Sequence, residues 1–173
     1  MLDSTLGVHP PLQWTHRYKL ALHGSEGRLD DIPSVTITLG PFGDVVSFPD
    51  GRVYLSWYPV TKVAASTSIV PPDPENELDD RARADIAQRV LTELSRVLPA
   101  LRDGRLEPGQ FEVRGGHIFA WGETDISDPS SRLHQRHQVG VMSVGRYHSV
   151  DTGKYGLAPL HAMVVAARIL GEA

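Results

Sequence analysis

The chain contains no cysteine among its 173 residues. That single absence excludes disulfides, thiolate nucleophiles and cysteine-ligated zinc, and it agrees with a reducing compartment. Long apolar runs are also missing. The longest stretch, Ala162 to Ala167, is far short of the roughly 20 residues that cross a bilayer. The opening residues include Asp3 and no apolar segment of the kind a secretory signal needs. The expectation is a cytoplasmic chain with no membrane partner. A net charge of −4 lacks the basic excess that nucleic acid or an anionic surface would require.

Several chemical signatures are absent as well. No G-x-G-x-x-G follows a strand-like segment. Gly153-Lys154 resembles the end of a phosphate-binding loop, but His148 stands where the first glycine belongs and Tyr155 where a Ser or Thr belongs. There is no H-E-x-x-H, and His134 and His137, three apart, have no carboxylate at a familiar ligand spacing. The histidines therefore read as surface or hydrogen-bonding groups, and no metal is expected. No G-x-S-x-G elbow exists, so Ser56, Ser143 and Ser149 read as structural.

What is present is an ordinary globular composition, 40% hydrophobic and 22% charged, enough for one domain spanning residues 1–173. Gln13 to His23 and Ser34 to Leu39 alternate as strands do. Asp44 to Phe48 and Arg52 to Tyr58 flank Pro49-Asp50-Gly51, a strong turn signal. The last three of these strands should form an antiparallel meander. From Glu77 to Leu101 the period becomes helical, with Leu78, Ala82, Ile86, Val90, Leu94, Val97 and Leu101 on one stripe. Acidic residues open this helix, Arg96, Arg102 and Arg105 close it, Pro99 should interrupt its last turn, and Gly104 suits its cap. Gly115-Gly116 reads as a hairpin turn between Phe111–Arg114 and His117–Ala120. Val139 to Val144 is a further strand. A last helix, about Ala158 to Leu170, is apolar nearly all round and is expected to be buried. The fold class is α+β: a mainly antiparallel sheet with one long central helix and a buried C-terminal helix.

Two segments carry candidate chemistry. The polar, glycine-bearing stretch from Gly145 to Gly156 feeds directly into the last helix. A helix start offers free N–H groups, Asp151 or Thr152 can cap it, and Lys154 adds positive charge, which together suit a carbonyl or anionic ligand atom. The plain alternative is a capped helix with a solvated lysine. On the Arg52–Tyr58 strand, Arg52, Tyr54, Ser56 and Tyr58 share one face. That face suits a carboxylate-bearing substrate, or else is an outward face with amphipathic tyrosines. Arg17, Arg52 and Arg146 are all candidate carboxylate anchors.

The phrases Gly40-Pro41-Phe42-Gly43-Asp44-Val45-Val46, Val53-Tyr54-Leu55-Ser56-Trp57-Tyr58-Pro59 and Ser131-Arg132-Leu133-His134-Gln135-Arg136 resemble the substrate-domain segments of FAD-dependent oxidoreductases of the D-amino-acid-oxidase superfamily. Tyr147-His148-Ser149-Val150-Asp151-Thr152-Gly153-Lys154 with its following helix is similar to the C-terminal loop and helix that return to the flavin domain in that superfamily. The resemblance runs from about Trp14 to the C-terminus. It implies FAD as cofactor, flavin contacts at Thr152, Gly153 and Lys154, and a substrate-holding face with Arg52, Tyr54 and Tyr58. It implies oxidation of an amine or amino-acid-like small molecule by hydride removal from a C–N bond. The superfamily's N-terminal Rossmann half, which holds the ADP part of FAD, has no counterpart in this sequence. The expected partner is therefore a missing or separate FAD-binding domain. The alternative is a non-catalytic, free-standing α+β domain that binds a small ligand or a protein.

Overall fold

The structure, a computed structural model, describes residues 5–7, 13–25, 32–102, 104, 106–138 and 140–171, without the side chains of 136–138. Arg105, Val139 and residues 26–31 of the polar loop fall outside them, as does most of the opening loop. The chain divides into two compact units, His16–Ile118, and Met1–Thr15 with Phe119–Ala173.

The first unit is built on a sheet of six strands: β1 (Trp14–Gly24), β2 (Val35–Ile37), β3 (Gly43–Ser47), β4 (Val53–Trp57), β5 (Lys62–Ser66) and β6 (Glu112–Trp121). Their order is β2-β3-β4-β1-β5, and β6 also pairs with β1. Each pairing with a described register is antiparallel, for example Val45↔Leu55 and Leu22↔Leu55. The β2-β3-β4 meander forms as the alternation predicts. Its tightest turn is the Pro49-Asp50-Gly51 segment: Gly51 takes φ +81, and its N–H donates to the Phe48 carbonyl at 3.0 Å. A positive φ of this kind costs glycine little and other residues more.

Two elements were not legible in the alternation. Tyr58–Thr61 forms a short helix, α1, directly after β4, so Tyr58 leaves the strand that the sequence reading extended through it. Gly115-Gly116 is not a turn. It lies inside β6, a single ten-residue strand. A Cβ at Gly115 would come within 2.5 Å of the Lys19 carbonyl, so the glycine permits close approach of two strands rather than reversal of the chain.

Helix α2 (Asp80–Val97) is the long helix, 18 residues, against one face of this sheet. Asp79 caps it by accepting from the Ala82 N–H at 2.7 Å. It stops at Leu98 because the residue before a proline is pushed out of helical geometry. The predicted stripe therefore breaks at its end, and Leu101 belongs to a separate short turn of 3-10 helix. Ile86, Ala87, Val90, Leu91 and Leu94 are buried. They join Leu20, Leu22, Val45, Val53, Leu55 and Trp57 in one core.

The second unit contains the β7 (Val141–Val144) and β8 (Tyr147–Val150) hairpin and helix α3 (Ala158–Leu170). Gly145 turns the hairpin with φ +56, and β8 takes up Tyr147–Val150 of the polar stretch. Arg168 holds α3 to β7 through the Val141 carbonyl at 3.0 Å and the Ser143 hydroxyl at 2.8 Å. The expectation of a buried C-terminal helix is corrected here. His161 is its one buried residue, while Leu160, Met163, Ile169 and Leu170 are 54 to 71% exposed. A two-stranded hairpin offers too little surface to cover a helix that is apolar on most sides.

Truncating a fully buried side chain in a packed core leaves a cavity as well as losing transfer free energy. Leu94→Ala should therefore cost about 2–5 kcal/mol, whereas Val97→Ala, at a position 48% exposed, should change stability by less than about 1 kcal/mol. Urea unfolding of both variants checks the contrast.

Candidate functional site

Because α2 covers one face of the sheet, period-two alternation sends the intervening side chains to the other. Lys19, Asp44 and Ser56 meet there. The Asp44 carboxylate accepts from the Ser56 hydroxyl at 3.0 Å and faces the Lys19 ammonium at 3.4 Å through the same oxygen. Ser56 is fully buried, so its hydroxyl needs this partner. Lys19 also lies 5.8 Å from the Tyr54 ring centroid. This cationic and acidic pair was missed in the sequence because Lys19 and Asp44 are distant in the chain and become neighbours only when β1, β4 and β3 align.

The three residues nominated for substrate do not stay together. Arg52 and Tyr54 line a groove of about 440 Å³ that also takes in His23, Phe48, Glu112 and Arg114. Tyr58, displaced into α1, instead meets Phe42 edge-on at 6.4 Å and lies below Lys62. Arg52 is held by Asp50 at 2.8 Å and lies over Phe48 at 5.1 Å. His23 packs edge-on against Tyr54 at 5.4 Å. Partial burial, and secondarily the positive charge of Arg114, hold its imidazole below the usual histidine range, with Glu112 opposing. Arg17, another proposed anchor, is buried at the β1–β5 pairing rather than in the groove.

A second polar cluster centres on Glu75. Its carboxylate accepts from the Tyr18 hydroxyl and from the Gly115 N–H at 3.0 Å, and lies 3.8 Å from Arg83. Arg83 also donates to the carbonyls of Glu75, at 2.8 Å, and Val113. One acidic side chain in the proline-rich link thus ties together β1, β6 and α2. His117 packs edge-on against Tyr18 at 4.8 Å. Burial first, and then the Glu75 carboxylate, push the Tyr18 phenol well above its ordinary range.

In the other unit, Thr152, Gly153 and Lys154 do not form the start of the helix. A 3-10 turn at Tyr155–Leu157 intervenes, and the N-cap of α3 is Leu157, with no side-chain cap. Asp151 caps its own loop instead, accepting from the Gly153 N–H at 2.8 Å, while the Lys154 N–H donates to the Thr152 carbonyl. Both amides are thereby engaged, Gly153 takes φ +58, and Lys154 is exposed. Among the described residues the other Asp151 oxygen is buried without a hydrogen-bond partner. Arg146 sits at the tip of the β7–β8 turn. His161, read as a surface or hydrogen-bonding histidine, is buried with its Nε2 unpartnered, and a Cβ at Gly140 would come within 2.6 Å of its ring. His134 meets the Asp128 carbonyl at 3.0 Å, and the side chain of His137 lies outside the described residues. Among the described residues no three His, Asp or Glu side chains gather as metal ligands, and no helix is long and apolar enough to cross a membrane.

The chain matches no family model, no curated protein and no solved structure.

Two outcomes follow from these contacts. An unfolded phenol ionises near pH 10, whereas the native Tyr18 keeps its proton to higher pH. Its contribution to stability is complete below about pH 10 and is lost as pH rises through the native value. Denaturation midpoints measured from neutral to strongly alkaline pH should fall more steeply for the wild type than for Tyr18→Phe. Separately, Gly140→Ala should cost about 1–3 kcal/mol by forcing the His161 ring aside, which thermal unfolding of the variant would register.

Proposed function

We propose that this chain is the C-terminal, substrate-side portion of an FAD-dependent oxidoreductase acting on an amine or amino-acid-like small molecule. The observation that supports it most is the uncovered apolar surface of α3, which is joined to the Asp151–Lys154 loop by a short 3-10 turn. An apolar face this concentrated is costly in water and marks a docking surface. In this reading it packs against an FAD-binding domain supplied from outside these 173 residues.

The loop fits a flavin in part. The exposed ammonium of Lys154 suits negative charge that grows on a reduced ring, and the buried unpartnered Asp151 oxygen suits an N–H donor. The Gly153 and Lys154 amides, already engaged, are not the free donors that the resemblance implied. Thr152 and Lys154 side chains are the remaining contacts. The flavin, when bound, supplies the redox chemistry. The alternative, a free-standing binding domain, draws support from the His16–Ile118 unit, whose core is closed by α2 without help from the other unit.

The test is to express the tagged chain in its source cell, capture it gently and record the absorbance spectrum. Wild-type material should carry a partner polypeptide and an oxidised-flavin spectrum. Met163→Glu, at a position 71% exposed in the chain alone, should abolish the flavin signal while leaving the circular dichroism of the purified chain unchanged. Recovery without flavin in both cases would favour the free-standing domain.

A further inference from the structure

We infer that the groove at the β3–β4 hairpin end of the sheet is a binding site for a small organic oxyanion with an aromatic body. It lies entirely within the His16–Ile118 unit. It stands apart from any flavin chemistry and goes beyond the reading above.

Charge is the first support. The charged side chains lining this groove are Arg52, Arg114 and Glu112, with His23 beside them, and Asp50 pairs with Arg52. Guanidinium groups stay protonated at every accessible pH, so both cations are permanent. Among the described residues neither fork is saturated. Arg52 uses its Nε toward Asp50, and its two terminal nitrogens lie outside that bond. Arg114 faces Glu112 at 3.6 Å, beyond hydrogen-bonding distance. Each guanidinium has five N–H donors, and an oxyanion is the group that accepts several of them at once.

Shape is the second support. Asp50 and Phe48 fix the Arg52 head, one by the ion pair and one by the ring beneath it, so less side-chain entropy is lost when a ligand is bound. Phe48 and Tyr54 supply apolar surface on the wall. The volume, about 440 Å³, suits a small molecule rather than a bare ion or a polymer.

The charges around His23 predict how binding responds to pH. From β6 it is faced by Arg114 and Glu112, from β4 by Tyr54, from the hairpin by Arg52, and Lys19 of its own strand lies over the same Tyr54 ring. Burial and Arg114 disfavour the imidazolium. A bound oxyanion reverses that balance, so it should raise the His23 pKa and bind more tightly as pH falls through it.

The experiment is NMR titration of the His23 imidazole in the isolated 173-residue chain, assigned with His23→Gln, using phenyl phosphate, phenylacetate and inorganic phosphate as probes. Phenyl phosphate or phenylacetate should saturate the signal and move the His23 midpoint upward, and inorganic phosphate should bind more weakly. Arg52→Gln and Arg114→Gln should each weaken binding about tenfold. Both positions are exposed, and circular dichroism checks that the variants keep the fold. Inorganic phosphate binding as tightly as phenyl phosphate would overturn the aromatic part. An unmoved His23 midpoint, or binding indifferent to both arginine substitutions, would overturn the site. No flavin is present in this assay, so its failure is independent of the oxidoreductase reading.

Discussion

Burial of the α2 stripe against β1, β3 and β4 is the constraint from which the rest of the His16–Ile118 unit follows. Ile86, Val90, Leu91 and Leu94 meet Leu20, Leu22, Val45, Leu55 and Trp57 in one continuous core. Once that face is closed, strand geometry leaves the alternate residues no choice of side. Lys19, Asp44, Tyr54 and Ser56 must then share the opposite face, and they satisfy one another there rather than remaining as separate polar groups. A register slip of one residue would exchange the two sets, which would bury Lys19 and Asp44 under an apolar helix.

The Glu75 cluster solves a different problem. The link between β5 and α2 is rich in proline and acid and has little apolar surface with which to pack. One carboxylate replaces that packing, because it accepts from Tyr18 and Gly115 and faces the Arg83 guanidinium. Two donors that would otherwise each need a partner are satisfied at once, and a cation is paired. The same cluster sets β6 against β1 at Gly115, where only a glycine tolerates the approach to Lys19. Polar satisfaction and backbone sterics thus act on the same junction.

The second unit shows what happens when apolar surface exceeds the surface available to cover it. Helix α3 contacts a two-stranded hairpin, and Arg168 anchors it by hydrogen bonds to β7. His161 alone is buried, over Gly140. Leu160, Met163, Ile169 and Leu170 face outward, and the loop before the helix engages its own amides. A helix in this condition leaves apolar area that a partner surface could cover, and that area weighs more in the functional proposal than the loop chemistry does.

Much of this architecture was legible from residue order alone. The alternation of Val45, Val53, Leu55 and Trp57, the Pro49-Asp50-Gly51 turn, the acidic start of the long helix and its 3.6-residue stripe as far as Leu94 are local signals, because each acts over a few residues of backbone. Other features were decided only by the tertiary structure. Gly115 was read as a turn because a glycine looks the same whether it reverses the chain or admits a neighbouring strand. Tyr58 parted from Arg52 and Tyr54 because a four-residue helix is too short to leave a period. The Lys19–Asp44–Ser56 set, the Glu75 cluster and the gathering of Arg52 and Arg114 along one groove join residues from separate elements, and they depend on register that no single segment encodes. The sequence by itself determined that α3 is apolar on most sides. Whether that surface is covered was left to the tertiary structure, because coverage depends on the area of the neighbouring hairpin and not on the helix.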